Sequence, residues 1–222
     1  MNLVPPLWNN RQEAGQALAA RFLAWDQPHA LSLLLALPRG GVPVAAAMAE
    51  VLGWPLATWS VRKVADPSWP ELAIGAIAAG GVVVWRNGGQ RAASEREEQA
   101  RRHGWLRQEE QELVRRQALF GDPDPHTLRP RHLVVVDDGI ATGMTVQAAL
   151  RSLRRCEPAS LTLAVPVVDR EVARDLEPLV DRLEALAVVP DLRAVGLWYG
   201  AFEQLSDQQV LALLPRAEHR QP

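Results

Sequence analysis

Two adjacent carboxylates, Asp137 and Asp138, follow four apolar residues, Leu133 to Val136, and precede Gly139, Thr142, Gly143 and Thr145. The apolar run reads as a buried strand. Both acids then stand at its carboxyl end, where ligands bind in open α/β sheets. The loop Gly139 to Thr145 runs into a helix. Such a loop turns unpaired N–H groups and the positive end of the helix dipole toward an anion. Gly139 and Gly143 permit close backbone approach, and Thr142 and Thr145 add hydroxyls. One turn therefore combines a phosphate cradle with two acids that can accept hydrogen bonds from a diol or hold Mg²⁺ through water. A sugar phosphate needs both. Adjacent acids alone also fit a strand-to-helix turn with solvated carboxylates; the spacing to Thr142-Gly143-x-Thr145 favours the cradle.

A second strand end opening a helix occurs at LPRGGVP, Leu37 to Pro43. Taken alone it is a turn that needs glycine for positive φ. A third feature is Lys63, the single lysine among 24 basic residues. A chain that otherwise uses arginine throughout suggests that position 63 requires a compact ammonium. Chance survival of one lysine is the competing account.

The elements that position these groups alternate. Gln12 to Trp25 has helical apolar spacing, and LSLLLAL (Leu31 to Leu37) is a short run suited to a strand buried on both faces. Val42 to Leu52 reads as a helix capped by Gly53, and Leu56 to Val64 as a second strand. Ala73 to Arg86 reads as a β-hairpin turning at Gly80-Gly81. Ser94 to Phe120 is rich in Glu and Arg and poor in apolar residues. It predicts a helical arm over solvent, with Ser94 and Glu97 as a capping box, a bend at Gly104 and an end at Gly121. Then come strand His132 to Asp138, helix Met144 to Arg155, strand Ser160 to Val168, helix Asp169 to Leu176, strand Leu183 to Val189 and helix Ser206 to Leu214. This order predicts an α/β fold: a parallel sheet flanked by helices, in one domain over 1–222 with a lid-like insertion at about 66–130.

Composition bounds the function. The chain has 222 residues, 48% hydrophobic and 23% charged, with net charge −2. Bulk charge argues against a nucleic-acid-coating protein. One cysteine, Cys156, excludes an intrachain disulfide and a Cys-rich zinc site. No apolar run approaches the ~18 residues of a membrane span. The N-terminus lacks the pattern of a signal peptide, so the expectation is a cytoplasmic protein without membrane or nucleic-acid partners.

The stretch LVVVDDGIATGMT resembles the phosphoribosyl pyrophosphate (PRPP) signature of type I phosphoribosyltransferases, with every fixed position filled. The segments VRKVADPSWPELAIGAIA (Val61 to Ala78), LAVPVV (Leu163 to Val168) and AVGLWYGAFEQLSDQQVLALL (Ala194 to Leu214) extend the likeness to a poorly characterised bacterial group of such enzymes. The resemblance implies a core of that type with a hairpin and helical insertion and a small hood. It implies that Asp137 and Asp138 contact the ribose hydroxyls and face Mg²⁺, and that Gly139, Ile140, Ala141, Thr142, Gly143, Met144 and Thr145 hold the 5′-phosphate. It makes LPRGGVP the pyrophosphate loop, with Arg39, Gly40 and Gly41 on the β-phosphate, and a non-proline cis peptide is frequent there. Lys63 would contact pyrophosphate, and Glu71 is a candidate acid/base or Mg²⁺-facing group. Members are commonly homodimers.

Departures narrow the substrate. Some purine enzymes place an Asp base just before Thr-Gly, where this chain has Ala141, and a base-reading Lys on the next strand, which here is absent. Trp198, Tyr199 and Phe202 could stack on an acceptor ring or form a hydrophobic hood or dimer contact. The implied activity is transfer of a phosphoribosyl group from Mg²⁺–PRPP to a small acceptor, within nucleotide metabolism. A non-catalytic PRPP- or nucleotide-binding regulator and a phosphoribosyl hydrolase are the alternatives.

Overall fold

In the computed structural model, which describes residues 6–25, 29–66, 69–86 and 90–215, the two apolar runs are buried strands lying side by side. The chain runs α1 (Arg11–Ala19), β1 (Ser32–Ala36), α2 (Gly41–Leu52), β2 (Leu56–Thr58), β3 (Val61–Asp66), β4 (Trp69–Ala78), β5 (Val82–Trp85), α3 (Gln90–Arg102), α4 (Trp105–Phe120), β6 (His132–Val136), α5 (Met144–Arg154), β7 (Ser160–Asp169), α6 (Arg170–Leu176), β8 (Arg182–Val189) and α7 (Asp207–Leu213).

Five strands form a parallel sheet in the order β2-β1-β6-β7-β8. Strand alternation sorts the side chains into two cores. Leu33, Leu35, Leu133 and Val135 pack with Val146, Leu150 and Leu153 of α5. Leu34, Ala36, Val134 and Val136 pack with Leu18 of α1 and Val42 and Met48 of α2. Each fully buried Leu or Val contributes about 1.5–3 kcal/mol relative to exposure. The central strands thus hold the carboxyl end of β6 fixed.

The sequence reads 56–64 as one strand, but the structure divides it. β2 joins the parallel sheet, whereas β3 joins an antiparallel sheet, β3-β4-β5, which includes the expected hairpin. Asp122 fixes the corner. Its carboxylate accepts from Thr58 Oγ1 (2.7 Å), Ser60 N (2.6 Å) and Ser60 Oγ (3.1 Å). Apolar periodicity runs unbroken through this corner, so only the distant acid marks it.

The arm also differs from expectation. Ala100 of α3 and Leu106 and Leu113 of α4 are buried against Val64 and Ile77. A narrow apolar stripe suffices to dock a largely polar helix pair on the outer face of the second sheet. The inner face, through Val61, Ala76, Ala78 and Val84, packs with the core around α5. Helix α3 begins at Gln90, so Ser94 lies inside it and is not its N-cap; Gly104 and Gly121 do separate and end the helices.

The two ends of the described chain form a hood. Leu7 N donates to Trp198 O (3.1 Å), Gly200 N to Trp8 O (2.8 Å) and Ala201 N to Asn9 O (2.8 Å). Helix α1 starts directly after this join, and α7 follows the hood with a Ser206–Gln209 capping box at its start. Among the described residues no helix is long and apolar enough to cross a membrane.

Candidate functional site

The turn after β6 is stitched to β7 through one residue. Ile140 N donates to Val167 O and Ile140 O accepts from Asp169 N, both at 2.9 Å, with the Ile140 side chain in the core. Ile140 is therefore an anchor, and its N–H is not available to an anion. Beyond it, the N–H groups of Ala141, Thr142 and Gly143 have no hydrogen-bond partner among the described residues. Gly143 is the N-cap of α5 at φ 73°, a left-handed conformation that favours glycine. Met144 and Thr145 open the helix, so their N–H groups lack intrahelical acceptors.

Asp137 and Asp138 fold back on each other, Asp138 N donating to Asp137 Oδ1 at 2.9 Å. Burial raises the pKa of both carboxyls, that of Asp137 well above the ordinary range. The negative Asp138 raises Asp137 further, while the charges of Lys63 and Arg11 oppose the rise. Arg11 opposes it at Asp138 through a 2.8 Å ion pair from Nε to Oδ2.

The Leu37–Gly41 turn lies against the same acids. The Pro38–Arg39 peptide is cis. Gly41 N donates to Leu37 O at 3.0 Å, which closes the turn and leaves the N–H groups of Arg39 and Gly40 as the free ones among the described residues. A Cβ at Gly41 would stand 2.4 Å from Val136 O, so only glycine lets α2 start this close to β6. The Arg39 guanidinium is 3.7 Å from Asp207 Oδ1 at the start of α7.

These turns share one cavity of about 400 Å³, lined by Arg39, Lys63, Asp137, Asp138, Thr142 and Thr145 with Arg11 and Phe202 on the hood side. Lys63 is exposed, on β3 opposite Ala76. Glu71 belongs to β4, but its side chain lies outside the described residues. The geometry offers donors for a phosphate at one end, carboxylate acceptors in the middle and two cations beside them.

Two contacts at the site are not foreseen from the sequence, one by Arg11 and one by the hydroxyl of Tyr199. Arg11 reaches Asp138 across 127 positions. Tyr199 donates its hydroxyl to Asp138 O at 2.5 Å; burial and the nearby Asp138 charge raise its pKa. No local motif announces either contact. Phe202 is covered on one side by Arg11, at 3.7 Å from its ring centre, and stacks on Tyr199 at 5.1 Å. Neither Phe202 nor Tyr199 is thus an open platform for an acceptor ring.

A family model for the phosphoribosyl transferase domain matches residues 13–183. The Mycobacterium tuberculosis protein Rv0571c, whose name assigns it provisionally to the phosphoribosyl transferases, is 39% identical over 215 residues. That match covers 96% of this chain and 47% of the relative, so the chain spans about half the length of the curated relatives it matches. Among solved structures, TT1426 from Thermus thermophilus superposes with a TM-score of 0.71 at 31% identity, covering 93% of this chain and 97% of that one. AQ2163 from Aquifex aeolicus shares the fold at a TM-score of 0.51 and 11% identity, over 84% and 78% of the two chains. With the signature turn, the parallel sheet and these relatives in agreement, the chain belongs to the phosphoribosyltransferase domain family.

Proposed function

We propose that the chain binds PRPP with Mg²⁺ and transfers the phosphoribosyl group to a small nucleophile, releasing pyrophosphate. The observation that carries this reading is the single cavity shared by the Asp137–Thr145 turn, the Arg39–Gly40 turn and Lys63. The free N–H groups of Ala141, Thr142 and Gly143, with the Thr142 and Thr145 hydroxyls and the α5 N-terminus, hold the 5′-phosphate. Asp137 and Asp138 accept from the ribose hydroxyls. Arg39 and Lys63 lie where charge develops as the anomeric carbon–oxygen bond breaks and the electron pair leaves with pyrophosphate.

Two carboxylates at a strand end suit Mg²⁺, which takes one or two protein carboxylates together with substrate phosphate oxygens and water. When bound, the ion neutralises charge on the diphosphate. The acceptor attacks the anomeric carbon and gives up its proton; Glu71 is the candidate to take it. Water has to be kept from the anomeric carbon during transfer, and in this reading the 66–130 insertion, none of whose described residues lines the cavity in this structure, closes over it when PRPP is bound. In this reading the working form is a cytoplasmic homodimer acting on small molecules, as is common in the family.

The test is to incubate the protein with PRPP, Mg²⁺ and a panel of bases and amines while following pyrophosphate. Release that depends on an acceptor is expected. Acceptor-independent release makes it a hydrolase, and tight binding without turnover makes it a regulator. Absence of binding at millimolar PRPP overturns the reading.

A further inference from the structure

We propose that Arg11 is a positioning residue that ties the hood to the donor-side acids through Asp138. The pair is deeply set, with the two side chains 11% and 14% exposed. Arg11 does three things at once. Its Nε donates to Asp138 Oδ2 at 2.8 Å, its Nη1 donates to Glu203 O at 3.1 Å, and its plane lies 3.7 Å over the Phe202 ring centre. Phe202 stacks on Tyr199, and the Tyr199 hydroxyl returns to Asp138 O. Asp138 is thereby held by its side chain from α1 and by its main chain from the C-terminal hood, two segments already joined through Trp8 and Gly200.

A buried ion pair contributes little net stability, because desolvation offsets the attraction; what it fixes here is geometry. With Oδ2 engaged by Arg11, the orientation in which the Asp138 carboxylate lines the cavity is set. A shift of the hood moves Arg11, and Arg11 moves the acid, so the hood and the turn after β6 respond together. Lysine cannot substitute fully. An ammonium can pair with Asp138, but it lacks the planar fork that also reaches Glu203 while stacking on Phe202.

The binding arm of the test rests on the PRPP reading; a second arm does not. Calorimetric titration with Mg²⁺–PRPP is carried out on the wild type, Arg11→Gln, Arg11→Lys, Asp138→Asn and the Arg11→Gln/Asp138→Asn double variant. Arg11→Gln is expected to weaken binding about tenfold or more, and Arg11→Lys to recover part of that loss. The double variant should bind no worse than Asp138→Asn alone, because Arg11 acts through that acid. Losses that multiply, or wild-type binding by Arg11→Gln, overturn the proposal. In the second arm, amide exchange of the ligand-free protein is compared. Arg11→Gln should accelerate exchange of the hydrogen-bonded amides on both sides of the tie, Ile140 in the turn and Tyr199, Gly200 and Ala201 in the hood. Acceleration confined to one side overturns the proposal. If the wild type fails to bind PRPP, the PRPP reading falls and the exchange arm decides the role of Arg11 by itself.

Discussion

The carboxylate of Asp138 lies directly beneath Gly40, where an added Cβ would stand 2.1 Å from Oδ2 and 2.6 Å from Cγ. The two turns, distant in sequence and separate as motifs, are therefore in van der Waals contact. Neither can be altered without the other.

Gly40→Ala follows from that contact. The methyl group has to push Asp138 aside, and overpacking of this kind costs typically about 1–3 kcal/mol. Because Asp138 is also held by Arg11 and Tyr199, the strain passes into the 137–145 turn. The expected outcome is a modest fall in melting temperature with a much larger loss of PRPP affinity by calorimetry. Unchanged affinity would show that the two turns tolerate separation.

Lys63→Arg keeps the charge and changes its shape. The ammonium lines the cavity from β3 and lowers the pKa of Asp137 by its charge alone. A guanidinium there is larger, planar and more weakly hydrated. Turnover is expected to drop while thermal stability stays within about 0.5 kcal/mol, as for a surface substitution. Lys63→Ala should lose about 10²–10³ in rate, the usual consequence of removing one preorganised electrostatic contact. Wild-type turnover from Lys63→Arg would make the single lysine an accident of composition.

Asp137→Asn separates stability from function. Burial and the adjacent acid raise the folded-state pKa of Asp137 above its ordinary 3.8, so the folded protein binds this proton more tightly than the unfolded chain does. The corresponding stability is full below that ordinary value and is lost as pH rises through the folded-state pKa. Asparagine does not titrate. The variant should therefore gain stability relative to the wild type as pH rises from about 4, with the difference levelling off above the folded-state pKa, and should bind PRPP poorly. Urea unfolding across pH 4 to 9 measures this. A constant difference over that range would refute the raised folded-state pKa of Asp137.

How far the sequence foretells this site depends on the range of each contact. The 137–145 turn is legible because its acids, glycines and hydroxyls act within one contiguous stretch. The buried runs of β1 and β6 are legible for the same reason. The corner at Trp59–Ser60 is not, since Asp122 fixes it from beyond a whole helix pair. Arg11 is equally hidden, as no periodicity links α1 to the end of β6. The roles of individual N–H groups are a third kind of miss: those of Ile140 and Gly41 look free in the motif but close the turns themselves. The docking of α3 and α4 rests on so few apolar residues that the charged majority masks it.

Asp207 offers a last and independent handle. It stands at the start of α7, 3.7 Å from the Arg39 guanidinium and 3.3 Å from that of Arg115 on α4. Arg39 is thus shared between a resident carboxylate and any diphosphate entering the cavity. The Arg39–Asp207 contact is longer than a hydrogen bond, and both side chains are about one third exposed, so the pair is weak, within about 0–1 kcal/mol. Asp207→Asn removes the competing charge without removing side-chain bulk. It should raise affinity for Mg²⁺–PRPP and for pyrophosphate by a few-fold at most, with the gain shrinking as salt is increased. Arg39→Gln should abolish that gain when combined with Asp207→Asn. Equal affinity of wild type and Asp207→Asn at low salt would show that Arg39 does not turn toward the leaving group. Reduced affinity would instead make Asp207 a support that holds Arg39 in its working position.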